Sequence, residues 1–146
     1  MSAMSNYLEN KLVDLLLRGQ AFSAPANLYV GLFTSDPTDA GSGAEVSGGS
    51  YARVAVSGAL ASWAGTQSAG STTASSGTGG VTSNNAAITW SAAPTALWGT
   101  VTHFGLFDAP SGGNLLIHGA LQASKTINNG DPAPAFPAGA LVLTFS

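Results

Sequence analysis

The chain has 146 residues, near the usual size of one domain, and 45% of them are apolar, enough for a real core. Only 8% are charged, four basic and seven acidic, giving a net charge of −3. Four scattered basic residues cannot neutralise a phosphate track, and no apolar run approaches the ~20 residues that span a bilayer, so neither nucleic acid nor membrane is expected as a partner. Cysteine is absent, which removes disulfides, thiolate chemistry and Cys-containing zinc sites together. With so few charges the surface must be Ser, Thr, Asn, Gly and Ala. Such a surface is cheap to desolvate, because no ion loses its water when a contact forms, and interface cores are depleted of charge in the same way. Assembly is therefore expected over life as a monomer. No basic region precedes the first apolar stretch, so no secretory signal is expected.

Residues 5–18 read as the one convincing helix. Asn6 can cap it, with Glu9 three residues on to close a capping box. Leu8, Leu12, Leu15 and Leu16 recur at three- and four-residue spacing, Val13 and Leu17 widen the stripe, and Gly19 is a ready left-handed stop. Glu9, Lys11, Asp14 and Arg18 place four of the eleven charges on this short segment. The leucine face is expected to cover one end of the β fold or to dock on a neighbouring subunit.

After Pro25 the pattern turns to period two. Asn27–Thr34 sets Leu28, Val30 and Leu32 against Tyr29, Gly31 and Phe33, apolar on both faces, as in a strand buried on both sides. Tyr51–Leu60, Ala86–Ser91, Val101–Asp108, Leu115–Gln122, Ser124–Ile127 and Ala140–Phe145 follow as short strands. Turn-forming runs separate them, at 35–37, 47–50, 110–114 and 128–132. Two segments echo each other. Tyr29-Val30-Gly31-Leu32-Phe33 and His103-Phe104-Gly105-Leu106-Phe107 each pass through a central glycine and end in an acidic turn. A strand glycine marks a bulge or a close backbone approach, and the pair reads as two equivalent central strands. Residues 61–85 are Gly, Ser, Thr, Ala and Asn around a single aromatic, Trp63, and read as a surface loop or an arm reaching a neighbour. Taken as a single domain over 1–146, with the β part at 27–146, this pattern predicts an all-β fold. It is a β-sandwich, jelly-roll or immunoglobulin-like, with one N-terminal amphipathic α-helix.

Residues that could carry chemistry are few. His103 and His118 are the only histidines, Asp108 lies five positions beyond His103, and no Gly-x-Ser-x-Gly elbow frames a serine. Asp36, Asp39 and Glu45 share a Gly-rich loop, but their spacing is not that of a calcium loop, and the aspartates read as turn formers. No catalytic residue, metal or cofactor is expected, and the chain does not read as an enzyme. Arg53 is expected to pair with an acid in a neighbouring loop. The three tryptophans, Trp63, Trp90 and Trp98, are expected as core or interface anchors ahead of a sugar platform.

Several blocks are together distinctive: 7–14, 28–37, 48–53, 98–108 (Trp-Gly-Thr-Val-Thr-His-Phe-Gly-Leu-Phe-Asp) and 124–127. In this order they resemble a family of small bacteriophage virion structural proteins, often labelled tail-fibre proteins, over nearly the whole chain except 61–85. The resemblance implies a virion component, assembled in the host cytoplasm, and supplies no functional residues. The absence of heptads or repeats suits a capsid cement or decoration protein, a homo-oligomer such as a trimer or other small ring that contacts the major capsid protein. A tail or tail-fibre attachment subunit contacting tail proteins is the alternative, and a host glycan- or receptor-binding module is the rival of another class. Candidate interface residues are Leu8, Leu12, Leu15, Leu16, Trp63, Trp90 and Trp98.

Overall fold

A computed structural model describes residues 2–145. In chain order its elements are β1 (Ser2–Met4), α1 (Asn6–Leu17), β2 (Asn27–Phe33), β3 (Val54–Ser57), β4 (Val81–Ser83), β5 (Ile88–Thr89), β6 (Gly99–Phe107), β7 (Leu115–Ile127), β8 (Ala135–Phe136) and β9 (Val142–Thr144). The fold is the expected β-sandwich-like arrangement with one N-terminal helix. One layer is a five-stranded antiparallel sheet in the order β1-β7-β6-β2-β3. The other is built from two short ribbons, β4 with β9 and β5 with β8. The two strands expected at 115–122 and 124–127 are one long β7, and β1, β4 and β8 are too short to show a period in the sequence.

The echoing segments are neighbours in the middle of the sheet. β2 runs antiparallel to β6 with Gly31 opposite Gly105, Tyr29 opposite Phe107 and Leu32 opposite Phe104. Directly opposed residues share a face, so the two glycines open one gap together. A methyl group on Gly31 would lie 2.9 Å from Glu45 Oε1, and one on Gly105 would lie 2.9 Å from both Leu115 Cδ1 and Phe33 Cε2. These glycines are therefore sites of close approach, of side chains rather than of backbone. Phe33 and Phe107 stack over the gap with ring centroids 6.0 Å apart, and Leu115 and Tyr29 complete this smaller cluster. The register shifts lie beside the gap, between Val101 and His103 and between Leu106 and Phe107.

The opposite face carries Val30, Leu32, Phe104 and Leu106 into the main core. Ile88, Trp90, Leu141 and Leu143 meet them from the ribbons, and Leu8 from α1. Asn84 is buried between the ribbons and replaces the backbone pairing that two such short strand pairs cannot supply. Its amide donates to Ala86 O at 2.8 Å and Pro137 O at 2.9 Å, and its oxygen accepts from Leu141 N at 2.9 Å. β1 ties the layers together: it pairs with β7, while the Ser2 hydroxyl bonds Thr144 O at 3.0 Å and accepts from Thr144 N at 2.7 Å.

The helix starts one residue later than expected and has a different cap. Ser5, not Asn6, is the N-cap: its hydroxyl accepts from Leu8 N at 3.2 Å and donates to Leu115 O, and its own N–H donates to Leu116 O at 2.9 Å. Both residue types cap well, and the contacts to β7 decide between them. Asn6 instead donates its backbone N–H to Asp39 O at 2.9 Å.

Residues 61–85 fold back on themselves as a loop. The stretch is closed at its base, where Ala64 N donates to Ser83 O and Asn85 N to Ser62 O, each at 2.8 Å. Gln67 organises its interior, donating to the Ser71 hydroxyl at 2.7 Å and the Thr73 hydroxyl at 2.8 Å and accepting from Ser76 N at 3.2 Å. Small residues let the loop turn back on itself around one long amide side chain.

Filling the glycine gap should cost more than an ordinary surface change. Gly105→Ala is expected to lower stability by about 1–3 kcal/mol through overpacking against Phe33 and Leu115, read as a lower urea midpoint at unchanged slope.

Candidate functional site

A dense polar cluster lies over the glycine gap. Beyond β2 the chain turns back on itself, with Thr34 N donating to Ala44 O and Val46 N to Leu32 O, each at 2.9 Å. This return places Glu45 beside Gly31. Arg53 then grips the Glu45 carboxylate with two bonds, Nε to Oε1 at 2.8 Å and Nη2 to Oε2 at 2.7 Å. Its Nη1 donates to Ala109 O at 2.9 Å and Gly112 O at 2.8 Å, and the guanidinium lies 3.3 Å over the Phe107 ring. This is the loop acid that the sequence reading anticipated as a partner for Arg53. Tyr51 joins the cluster, donating to Glu45 Oε1 and accepting from Leu32 N, each at 2.9 Å. Burial pushes its phenol well above the usual range, and the Glu45 charge adds to the rise, while the Leu32 N–H and Arg53 oppose it. Trp98 meets Tyr51 edge-on at 5.2 Å and donates its indole N–H to Gly49 O at 2.9 Å. Every group here is turned toward its neighbours, so the cluster holds loops 34–53 and 108–113 to the sheet rather than presenting a reactive atom.

The histidines form a second cluster. His118 is buried on β7, with Nε2 3.0 Å from Asp39 Oδ1 and Nδ1 3.5 Å from Asp36 Oδ1. His103 lies 4.0 Å from Asp36 and within 2.8 Å of the Thr102 hydroxyl through Nδ1. Asp108, the acid nearest His103 in sequence, turns away to accept from Asn114 N and Nδ2, each at 2.7 Å. His103 and Asp108 are thus not brought together as a Ser–His–Asp arrangement would need. Asp36 does form a turn, accepting from Thr38 N at 2.9 Å, but Asp39 anchors the loop across the sheet to His118. Nothing local in the sequence announces that link. Among the described residues no group of three or more His, Asp or Glu is placed to hold a metal ion.

Two of the surfaces that remain open to other molecules are largely apolar. Of the candidate interface residues, Trp90 and Trp98 are only 3% and 4% exposed and belong to the core of their own chain, so neither offers a face to a partner. Leu8 is buried with them, Leu12 is half-buried, and Trp63 is half-buried with its N–H donated to Ser57 O at 3.1 Å. Leu15 and Leu16 are exposed, and Leu16 and its neighbour Leu17 stand out at 75% and 80%. The leucine stripe is therefore split: its first turn packs on the sheet and its last turn does not. Met4, Leu12, Val13, Leu16 and Leu17 line an apolar hollow of about 340 Å³ with Glu9 at its edge. A second groove, of about 430 Å³, runs between the C-terminal half of β7 and the ribbons, walled by Ala120, Leu121, Phe136 and Val142 with Lys125 at its rim.

These surfaces and the fold beneath them fall within one known family. The family described as Podophage GP4 fiber I protein gp80 matches residues 3–144. The chain belongs to that family. The match runs from β1 to β9 and passes through the 61–85 loop, so that loop lies within the span of the fiber I family. No curated protein matches the chain. No helix among the described residues of this family member is long and apolar enough to cross a membrane.

Two variants test the polar cluster. Arg53→Ala leaves the half-buried Glu45 carboxylate without its counter-charge and is expected to cost, in urea unfolding, more than the ~1 kcal/mol of an exposed pair but less than the roughly 3–5 kcal/mol of a fully buried one. Tyr51 binds its proton more tightly folded than unfolded. Its contribution is therefore full below about pH 10, the ordinary phenol value, and is lost as pH rises beyond it. Tyr51→Phe should be less stable at neutral pH, from two lost hydrogen bonds, and should lose less stability than the parent between pH 9 and 12.

Proposed function

We propose that this chain is a non-enzymatic subunit of a podophage fibre, carried on the virion and joined to neighbouring subunits through the exposed end of α1. The observation that carries the reading is the family match across residues 3–144, whose description is that of a fibre protein. That description favours the fibre alternative over the capsid cement role toward which the sequence alone leaned. The exposed leucines support an assembly role, since contiguous exposed apolar side chains mark interaction sites. Val13, Leu16 and Leu17 are exposed side by side on the last turns of a short helix. The charge economy of the chain points the same way, because a surface of hydroxyls and methyls loses little on being covered. Its partners are other copies of itself and tail proteins. A structural role also accords with the polar clusters, whose strongest groups are spent on internal bonds. A glycan-binding role has less support: two of the three tryptophans are core.

Immunogold labelling of intact particles with antibody against this chain tests the placement. Label on the tail fibres is expected; label spread over the capsid faces would restore the cement reading. Particles made with the Leu16→Asp/Leu17→Asp chain should lose the label. Both side chains are exposed, so the purified variant should unfold at the same urea midpoint as the parent, within about 0.5 kcal/mol.

A further inference from the structure

Nearly all of the eleven charged side chains have a partner within the chain. Asp14 pairs with Arg18, Glu45 with Arg53, and Asp36 and Asp39 face histidines. Asp108 and Asp131 bond to asparagines and their backbone, and the Lys11 ammonium sits 5.5 Å over the Tyr7 ring. Among the described residues, two charged side chains remain that make no ion pair, hydrogen bond or cation–π contact with any other: Glu9 and Lys125. They are of opposite sign, and each stands at the rim of one of the open apolar surfaces.

We propose that these surfaces are the two halves of one contact. The last turns of α1 from one copy, with Val13, Leu16 and Leu17 as anchors, seat in the β7–ribbon groove of the next copy, and Glu9 meets Lys125 there. The anchors lie at i, i+3 and i+4, the spacing by which an amphipathic helix lies in a groove. The groove is apolar along Ala120, Leu121, Phe136 and Val142, and a recess of about 80 Å³ adjoins it, lined by Leu121, Lys125, Pro134 and Phe136. Donor and acceptor surfaces belong to opposite halves of β7: the Ser5 cap of α1 is bonded to Leu115 and Leu116, while the groove lies along 120–125. The contact joins two different patches, so it either runs head to tail, as a ring or a filament, or closes as a two-fold pair in which each copy seats the other's helix. The proposal rests on the helix face being an assembly surface, and it adds what that surface binds.

Charge exchange tests it on the purified full-length chain, with association followed by sedimentation velocity over a range of concentrations. Glu9→Lys and Lys125→Glu are each expected to weaken association by about tenfold or more, through like charges set together. The Glu9→Lys/Lys125→Glu chain should recover to within about threefold of the parent, as expected when two residues couple directly. An equimolar mixture of the two single variants should also associate, since each supplies the half-contact the other lacks. The contact is overturned if Lys125→Glu associates like the parent, if the double variant is no better than the single ones, or if the parent stays monomeric up to about 1 mM, the millimolar limit of weak binding. Dissociation by Leu16→Asp with no effect of Lys125→Glu would leave the helix as an assembly face and remove the groove as its seat. Particle labelling stands apart from all of these outcomes and decides the fibre reading separately.

Discussion

A gap with no side chain in it governs one whole face of this sheet. Gly31 and Gly105 oppose each other on the two central strands, and the space they leave is taken by Glu45, Tyr51, Phe33 and Leu115. A strand glycine forgoes packing and loses entropy on folding. Here the loss is offset because bulky and charged groups from three different segments reach the sheet backbone through the gap. The stacked phenylalanines carry Arg53 on their outer side, Arg53 carries Glu45, and Glu45 holds Tyr51. The return of the chain after β2 and the turn before β7 are both fastened to this column.

Such internal use of charge explains how a chain with so few ions keeps a well-defined structure. Arg53 is a single residue, yet it neutralises a half-buried carboxylate and caps two loop carbonyls. Asp39 and His118 do similar work for the loop that supports the start of α1, through Asn6 N and Asp39 O. Asn84 does it without charge in the second layer. The outer surface is left largely to Ser, Thr, Ala and Gly, and at the apolar end of the helix Asp14 and Arg18 pair with each other and leave no net charge to keep neighbours away.

The legible parts of the fold were those set by period. The central strands, their echo and the leucine helix all follow from spacing that any reader of the sequence can count. What escaped was set by distance along the chain. β1 exists as a strand only because β7 and Thr144 are there to receive it. Ser5 displaces Asn6 as the cap because its backbone and hydroxyl both find β7. Trp90 and Trp98 could not be told from surface anchors, because an aromatic near a strand end looks alike on either side of a sheet. The 61–85 loop did hold a local clue. Gln67 is its one long amide side chain, and a lone reach of that length among hydroxyls is what closes the loop on itself.

The bond between Ser2 and Thr144 has a temporal meaning as well as a spatial one. It joins residues 142 positions apart, and β1 lies between partners that are made late. As the chain emerges from the ribosome, α1 and β2 appear early, but the strand before them has no completed seat until β7 and then β9 have followed. Contacts of such long separation form slowly, because the closure entropy precedes any reward. Until β7 has been made, β1 itself stays unpaired, and unpaired edges are where nascent chains join one another. For a protein whose surface carries little charge to prevent this, the arrival of β7 and then β9 is what ends the exposure of β1 to misassembly.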